Sequence, residues 1–335
     1  MTQVHSDDTT VLPWDIVDIR PYRDGILVAT QRDQYDGSQS ELRYVPISGT
    51  ETPTKTTVLL AVSEGIAAVD LSLEEDIWLV TDTGRILSNA AFLKDKKEWH
   101  WKPVFIKTDE QGPERRWFYH DLPQWISIPT AILARPKGEV LIADLDGKIT
   151  RLDLNSGNMM PEGDISGSDN GVVYRFVTDG TGNVMAFGTM DTPFARTTGG
   201  WHAVPLLGAP DRARLVRARW VGADGQVLCC TSDCLVFRGT SAGFNILADL
   251  AEEPFDVAPF ADELFIATMS GLLAINKSGH VRVVKKDVEP VLLAPTQHLL
   301  CAYDSAQAST LAGIRVNGTF HVWDNLMDSE LPRVL

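Results

Sequence analysis

No stretch of this chain approaches the roughly 18 to 20 consecutive apolar residues that a membrane-spanning helix requires. Cysteine is scarce: among 335 residues there are four, Cys229, Cys230, Cys234 and Cys301, and three of them sit within six positions. That is not the spread framework of a disulfide-stapled secreted domain. Cys229 and Cys230 would point to opposite faces of a strand, and Cys234 follows at a spacing that matches no zinc pattern. Free thiols are the expectation. The opening residues, from Met1 to Thr10, carry neither a basic segment nor an apolar core of the secretory kind, so a cytoplasmic location is expected. Helical periodicity of any length is missing too; residues 64–75 and 248–253 each hold a turn at most.

Clusters of positive charge are also lacking. The densest are Glu114-Arg115-Arg116 and the alternating arginines of 211–219, which suit one face of a strand. Against them stands a formal net charge of −15. Such a surface repels phosphate backbones and anionic membranes and attracts basic proteins. Direct nucleic-acid or membrane binding is therefore not expected.

What the chain has is a repeat. From Glu263 to Lys285 it reads as three short β-prone runs separated by Gly-bearing turns at Gly271 and Gly279, with a fourth run upstream at 254–260. This is the pattern of consecutive antiparallel hairpins. The second run recurs seven times: Ile26–Thr30, Ile77–Thr81, Val140–Asp144, Val184–Gly188, Val227–Thr231, Leu264–Thr268 and Leu299–Tyr303. Near-continuous apolar runs of this kind suit strands covered on both faces. Several fourth runs open on an aromatic residue, as in Trp99-His100-Trp101, Trp201-His202 and Phe320-His321, often after Gly.

This opening resembles the Asp-box and related short repeats of β-propellers. No unit carries the full Ser-x-Asp-x-Gly-x-Thr-Trp motif, so the resemblance implies a fold and no particular family. It implies an all-β chain, one seven-bladed propeller of four-stranded antiparallel blades, in which ring closure leaves no long sheet edge open. The expected blades span roughly 14–62, 63–107, 126–166, 170–208, 212–250, 253–287 and 289–326, with an insertion at 107–125. Either 9–14 or 319–325 is expected to complete the last blade.

Insertions into a repeat go to loops, often on the binding face. Three interrupt this one: 31–41 in blade 1, 304–310 in blade 7, and 107–125 after blade 2. All three are expected on one sector of one face. The third is rich in Trp, Tyr, Phe and Arg, the residue types of interface hot spots. The expected partner-binding residues are Tyr35, Asp36, Arg115, Arg116, Trp117, Tyr119, His120, Asp121 and Asp304, with Trp117 and Tyr119 dispensable for stability.

Catalytic chemistry is poorly represented. His100, His202 and His321 occupy equivalent outer-strand positions in different blades and cannot share a metal. Gly239-Thr-Ser-Ala-Gly243 matches the nucleophile elbow as a string, but strands flank it on both sides, where the elbow needs a strand, a turn and a helix. Asp144-Leu-Asp-Gly147 is half of a calcium loop without the remaining ligands. Asp15, Asp18, Asp70 and Asp256 fall in first strands, which line a propeller's channel. There they would serve a metal-dependent hydrolase or lyase of the sugar-lactonase kind. The leading expectation is a non-catalytic, cofactor-free propeller that captures a partner protein with a basic surface, for instance a toxin or effector that it neutralises. A scaffold subunit of a larger assembly is the third.

Overall fold

The computed structural model describes residues 14–34, 37–47, 56–96, 101–104, 117–136, 138–165, 171–210, 215–222, 224–305, 310–315 and 320–323. Their strands form seven sheets, and in each the first four strands of a blade pair antiparallel from the inside outwards. Blade 1 runs from Asp15–Tyr22 to Thr57–Val62, blade 2 from Ile66–Leu71 to Trp117–Asp121, and blade 3 from Pro129–Arg135 to Met159–Asp164. Blade 4 runs from Val172–Thr178 to Gly200–Ala203, and blade 5 from Val216–Val221 to Gly243–Asp249. Blades 6 and 7 begin at Pro254–Phe260 and Pro290–Pro295 and end at Val281–Lys286 and Phe320–Trp323. Each first strand packs against the first strand of the next blade, and that of blade 7 against that of blade 1. The fold is a closed seven-bladed β-propeller.

The core lies between blades, which explains the unbroken apolar second strands. Ile77–Thr81 and Val227–Thr231 are buried at every position because a neighbouring blade covers each face. The apolar clusters run across the junctions from blade to blade. Trp14, Ile16, Val28 and Val45 of blade 1 join Cys301 and Tyr303 of blade 7 and close the circle. The only helix among the described residues is a single 3-10 turn, Ala91–Asp95. None of their helices is long and apolar enough to cross a membrane.

Two devices repeat around the ring. Each first strand carries a β-bulge, set after the residue that opposes the end of the second strand in blades 2, 3, 6 and 7 and further along the ladder in blades 1, 4 and 5. A buried Thr or Asp at that second-strand end ties the following turn. Thr30, Thr81, Thr231 and Thr268 donate their hydroxyls to the carbonyls of Glu41, Arg85, Leu235 and Gly271. Asp144 does the same job as an acceptor, from the amides of Asp146 and Lys148 at 3.1 and 3.0 Å. The half calcium loop is thus a carboxylate-tied β-turn.

Four expectations are corrected. Blade 2 does not end before the insertion: Trp117–Asp121 is its fourth strand, paired with Arg85–Ser88, and Lys102–Val104 adds a fifth outside it. Blade 5 also gains a fifth strand, Leu206–Leu207, which pairs parallel with Gly243–Asp249. In blade 7 the repeat is offset by one residue, because Pro290 opposes Asp304 as Pro254 opposes Thr268. The unit there is Leu300–Asp304. Residues 31–34 and 37–41 are strand rather than loop. The ladder continues from Gln31↔Ser40 to Gln34↔Gly37 as a hairpin rising beyond the blade. Phe320–Trp323 completes blade 7, and residues 9–13 lie outside the described residues.

Candidate functional site

A propeller has two ends. Here the upper end carries the turns between second and third strands and the connections between blades. The lower end carries the remaining turns, and a channel lined by first strands joins the two.

In the channel, the bulge brings Asp18, Arg175 and Asp256 to equivalent positions in blades 1, 4 and 6. Arg175 reaches across the ring, Nη2 to Asp18 Oδ2 at 2.9 Å and Nη1 to the Val69 carbonyl of blade 2 at 3.1 Å. Arg20 donates to the same two acceptors at 3.1 and 3.0 Å. Two guanidiniums and one carboxylate therefore strap the interior. Asp256 accepts from the amide of Val257 and, across to blade 7, from that of Leu293, both at 2.9 Å.

Asp70 accepts from the amide of Ala134 in blade 3 at 3.0 Å. Its pKa is pushed up to about 6, chiefly by desolvation, with Arg20 and backbone hydrogen bonds working the other way. Asp70 is half-buried. Asp15 is exposed at the strand's start. Among the described residues no three His, Cys, Asp or Glu side chains converge as metal ligands. The enclosed channel carboxylates spend their oxygens on arginines and backbone amides of the ring itself.

The expected contact residues separate. Tyr35, Asp36, Arg115 and Arg116 lie outside the described residues. Trp117 is 0% exposed and sits in the core between blades 1 and 2 with Leu42, Leu60 and Leu87. It is a core residue rather than a contact residue, because the segment holding it is a strand with one face towards blade 1. His120 is half-buried against the Trp101 ring, centroids 5.6 Å apart. Tyr119 lies half-buried beneath Arg85 and Lys102, whose cationic groups stand 4.9 and 5.2 Å from its ring centre. Asp121 is exposed and bonds Arg85 Nε and Lys102 Nζ, each at 3.0 Å. Desolvation opposes its charge, yet these two cations together outweigh that and hold its carboxyl below the usual range. Glu64 extends the cluster by pairing with Arg85 and accepting from Thr83. Asp304 ends the second strand of blade 7, opposite Pro290 and Thr310.

The described residues that flank the three insertions do not share one end. Gln34 and Gly37 of blade 1 and Asp304 and Thr310 of blade 7 stand at the upper end. Val104 pairs with Trp117, however, at the opposite end of the outer ladder from Asp121, so the two residues that flank the third insertion stand at the lower end. A fourth strand after the insertion reversed the geometry that a loop assignment implied.

The ring instead presents a cleft beside the connection from blade 2 to blade 3. The connection from blade 2 to blade 3 runs Leu122-Pro123-Gln124-Trp125-Ile126-Ser127-Ile128, and Trp125 and Ile128 are 48% and 50% exposed. Beside them Leu145, in the next turn, is 46% exposed. The segment is pinned at both ends: the Leu122 amide bonds the Gly84 carbonyl, the Ser127 amide Asp144, and the Leu145 amide the Ile128 carbonyl. Between the blade 2 turn at 82–84 and this connection lies a cleft of about 310 Å³, lined by Leu122, Pro123, Ile126 and Ile128 together with Asp82, Thr83, Gln124 and Ser127. The signal in the sequence was a connection rich in apolar residues and bounded by prolines, too short for a strand pair of its own.

No family model matches this chain, and no curated protein matches it significantly. Solved structures of similar shape include Sqt1 of Saccharomyces cerevisiae, with TM-score 0.59 and 11% identity over 93% of this chain and 85% of that one. PorZ, a bacterial surface component of the type-IX secretion system of Porphyromonas gingivalis, gives 0.57 and 12% over 93% of this chain. The extracellular domain of BT4673 from B. thetaiotaomicron gives 0.56 and 12% over 89% of this chain. The chain spans only 38% of each of the latter two. At such identities the likeness is one of fold.

Proposed function

We propose that this protein is a non-catalytic propeller that captures a partner protein with a basic surface at its upper end. One observation carries the reading: three exposed large apolar side chains, Trp125, Ile128 and Leu145, lie side by side there at the junction of blades 2 and 3. Val17 and Tyr174 on first strands and Met269 on a turn also lie at or near the upper end, while Leu73, Phe92, Met160, Leu207, Ile246 and Val283 are scattered over the lower end and the outer strands. Contiguous exposed apolar groups mark interaction sites. Among the described residues of the upper turns and connections carboxylates outnumber cations, as at Asp15, Asp82, Asp146, Asp191, Glu252 and Glu289. The net charge of −15 adds long-range attraction for a basic protein.

The cytoplasm is the proposed compartment, which the four free cysteines suit. Neutralising a toxin or effector is one form such capture takes, and survival on co-expression tests that form. The broader reading is tested by capture from native lysate with tagged protein at low and high salt. A stoichiometric basic partner released as salt rises is expected. Capture of no protein at either salt, together with a tightly held divalent ion and hydrolase activity, would overturn it.

A further inference from the structure

Resting on the reading just given, we infer that the cleft between blades 2 and 3 is the anchor site. It receives one aliphatic or aromatic side chain of the partner protein, with a lysine or arginine beside it in the partner's sequence.

Three features lead there. The cleft is preformed. Its floor and wall, Leu122 to Ile128, are hydrogen-bonded at both ends to the turns of the flanking blades, so little ordering entropy is lost when a side chain enters. Its volume, about 310 Å³, suits an anchor side chain and part of its neighbours. On the connection side the cleft is lined by Leu122, Pro123, Ile126 and Ile128 with Gln124 and Ser127, and exposed Trp125 and Leu145 adjoin Ile128; on the other side its lip is negative.

That negative lip is Asp82, an exposed residue lining the cleft. One of its oxygens accepts the Gly65 amide at 3.0 Å. Nearby cations are already engaged: Arg85 and Lys102 with Asp121, and Lys148 with Asp146. Among the described residues none pairs with Asp82. A partly apolar pocket with an unneutralised carboxylate at its rim selects an apolar anchor flanked by positive charge, and disfavours an acidic flank by like-charge repulsion.

The test is selection of random dodecapeptides displayed on phage against the whole chain, followed by affinity measurement of the selected consensus peptide. The expected consensus joins a Leu, Phe or Trp to Lys or Arg. Ile128→Ser should weaken that peptide about tenfold or more, in the range of a hot-spot truncation. Asp82→Asn keeps the acceptor for Gly65 and should weaken it several-fold at low salt while leaving a peptide without the lysine unaffected. Both residues are exposed, and circular dichroism checks that the variants fold.

Selection of purely basic peptides, or affinity unchanged by Ile128→Ser, overturns the cleft while leaving capture by the acidic end standing. Selection without any basic enrichment overturns both. Dimerisation of the native chain that disappears in Ile128→Ser would assign the cleft to a second copy and overturn the proposal.

Discussion

Single residues in this ring carry burdens that their sequence neighbourhood does not advertise. Trp117 fills the space between blades 1 and 2, and its indole nitrogen is buried without a hydrogen-bond acceptor among the described residues. Trp117→Ala should cost about 3–5 kcal/mol, the range for a large aromatic removed from a core. Trp117→Phe keeps most of the packing, removes an unsatisfied donor, and should cost far less. Urea denaturation midpoints of the two variants distinguish a core residue from a surface contact.

Asp70 couples stability to pH. Its folded-state value near 6 lies above the ordinary 3.8, so between those values the folded chain binds more protons than the unfolded one. Stability from this group is therefore full below about pH 4 and is lost as pH rises through about 6. In Asp70→Asn, whose side-chain carbonyl can still accept from Ala134, that decline should disappear. The stability difference between variant and native protein should grow from pH 4 to 6 and then level off.

Cys234 stands at φ 68° in the turn position where Gly84 and Gly147 stand at 86° and 76°. A left-handed backbone strains a residue with a Cβ by about 1–2 kcal/mol. Part of that is offset by the thiol's packing on the blade 5–6 core. Cys234→Gly should stabilise the protein by up to about 1 kcal/mol, read as a raised melting temperature.

At the scale of elements, the first strand decides most. Its bulge rotates the chain so that residues after it aim inwards, which is why Asp18 and Arg175, 157 positions apart, meet across the channel. Removing the shared carboxylate leaves two poorly exposed guanidiniums without their counter-charge. Asp18→Ala should therefore cost about 3–5 kcal/mol, the range for breaking a buried pair. Asp18→Ala combined with Arg175→Met should recover part of the loss. A double-mutant cycle measures that coupling.

Strand content was legible because second strands are apolar throughout and end in Thr or Asp before a Gly-bearing turn. The outer strands were less legible. Trp117–Asp121 pairs with a strand nearly thirty residues earlier in the chain, and its aromatic content read as a binding loop. Aromatic residues suit an interface and a blade junction equally well, and only the ladder tells them apart.

At the scale of the whole molecule, closure is the organising event. The junction of blades 7 and 1 buries Trp14, Ile16 and Val45 against Cys301 and Tyr303, so each blade is covered by two neighbours. A chain ending before blade 7 would expose that face and a sheet flank together. It should bind a hydrophobic dye and lose cooperative unfolding.

Sequence alone determined the all-β class, the number of blades, the position of most second strands and the acidic surface. These depend on local composition, short turns and a sum of charges. Tertiary structure decided which end the flanks of each insertion occupy, that Trp117 is core, that the channel carboxylates are spent on arginines and amides, and that a preformed cleft lies between blades 2 and 3. Each of these depends on strand register. A shift of one residue turns every side chain to the opposite face, and a strand added after a loop sends that loop to the opposite end.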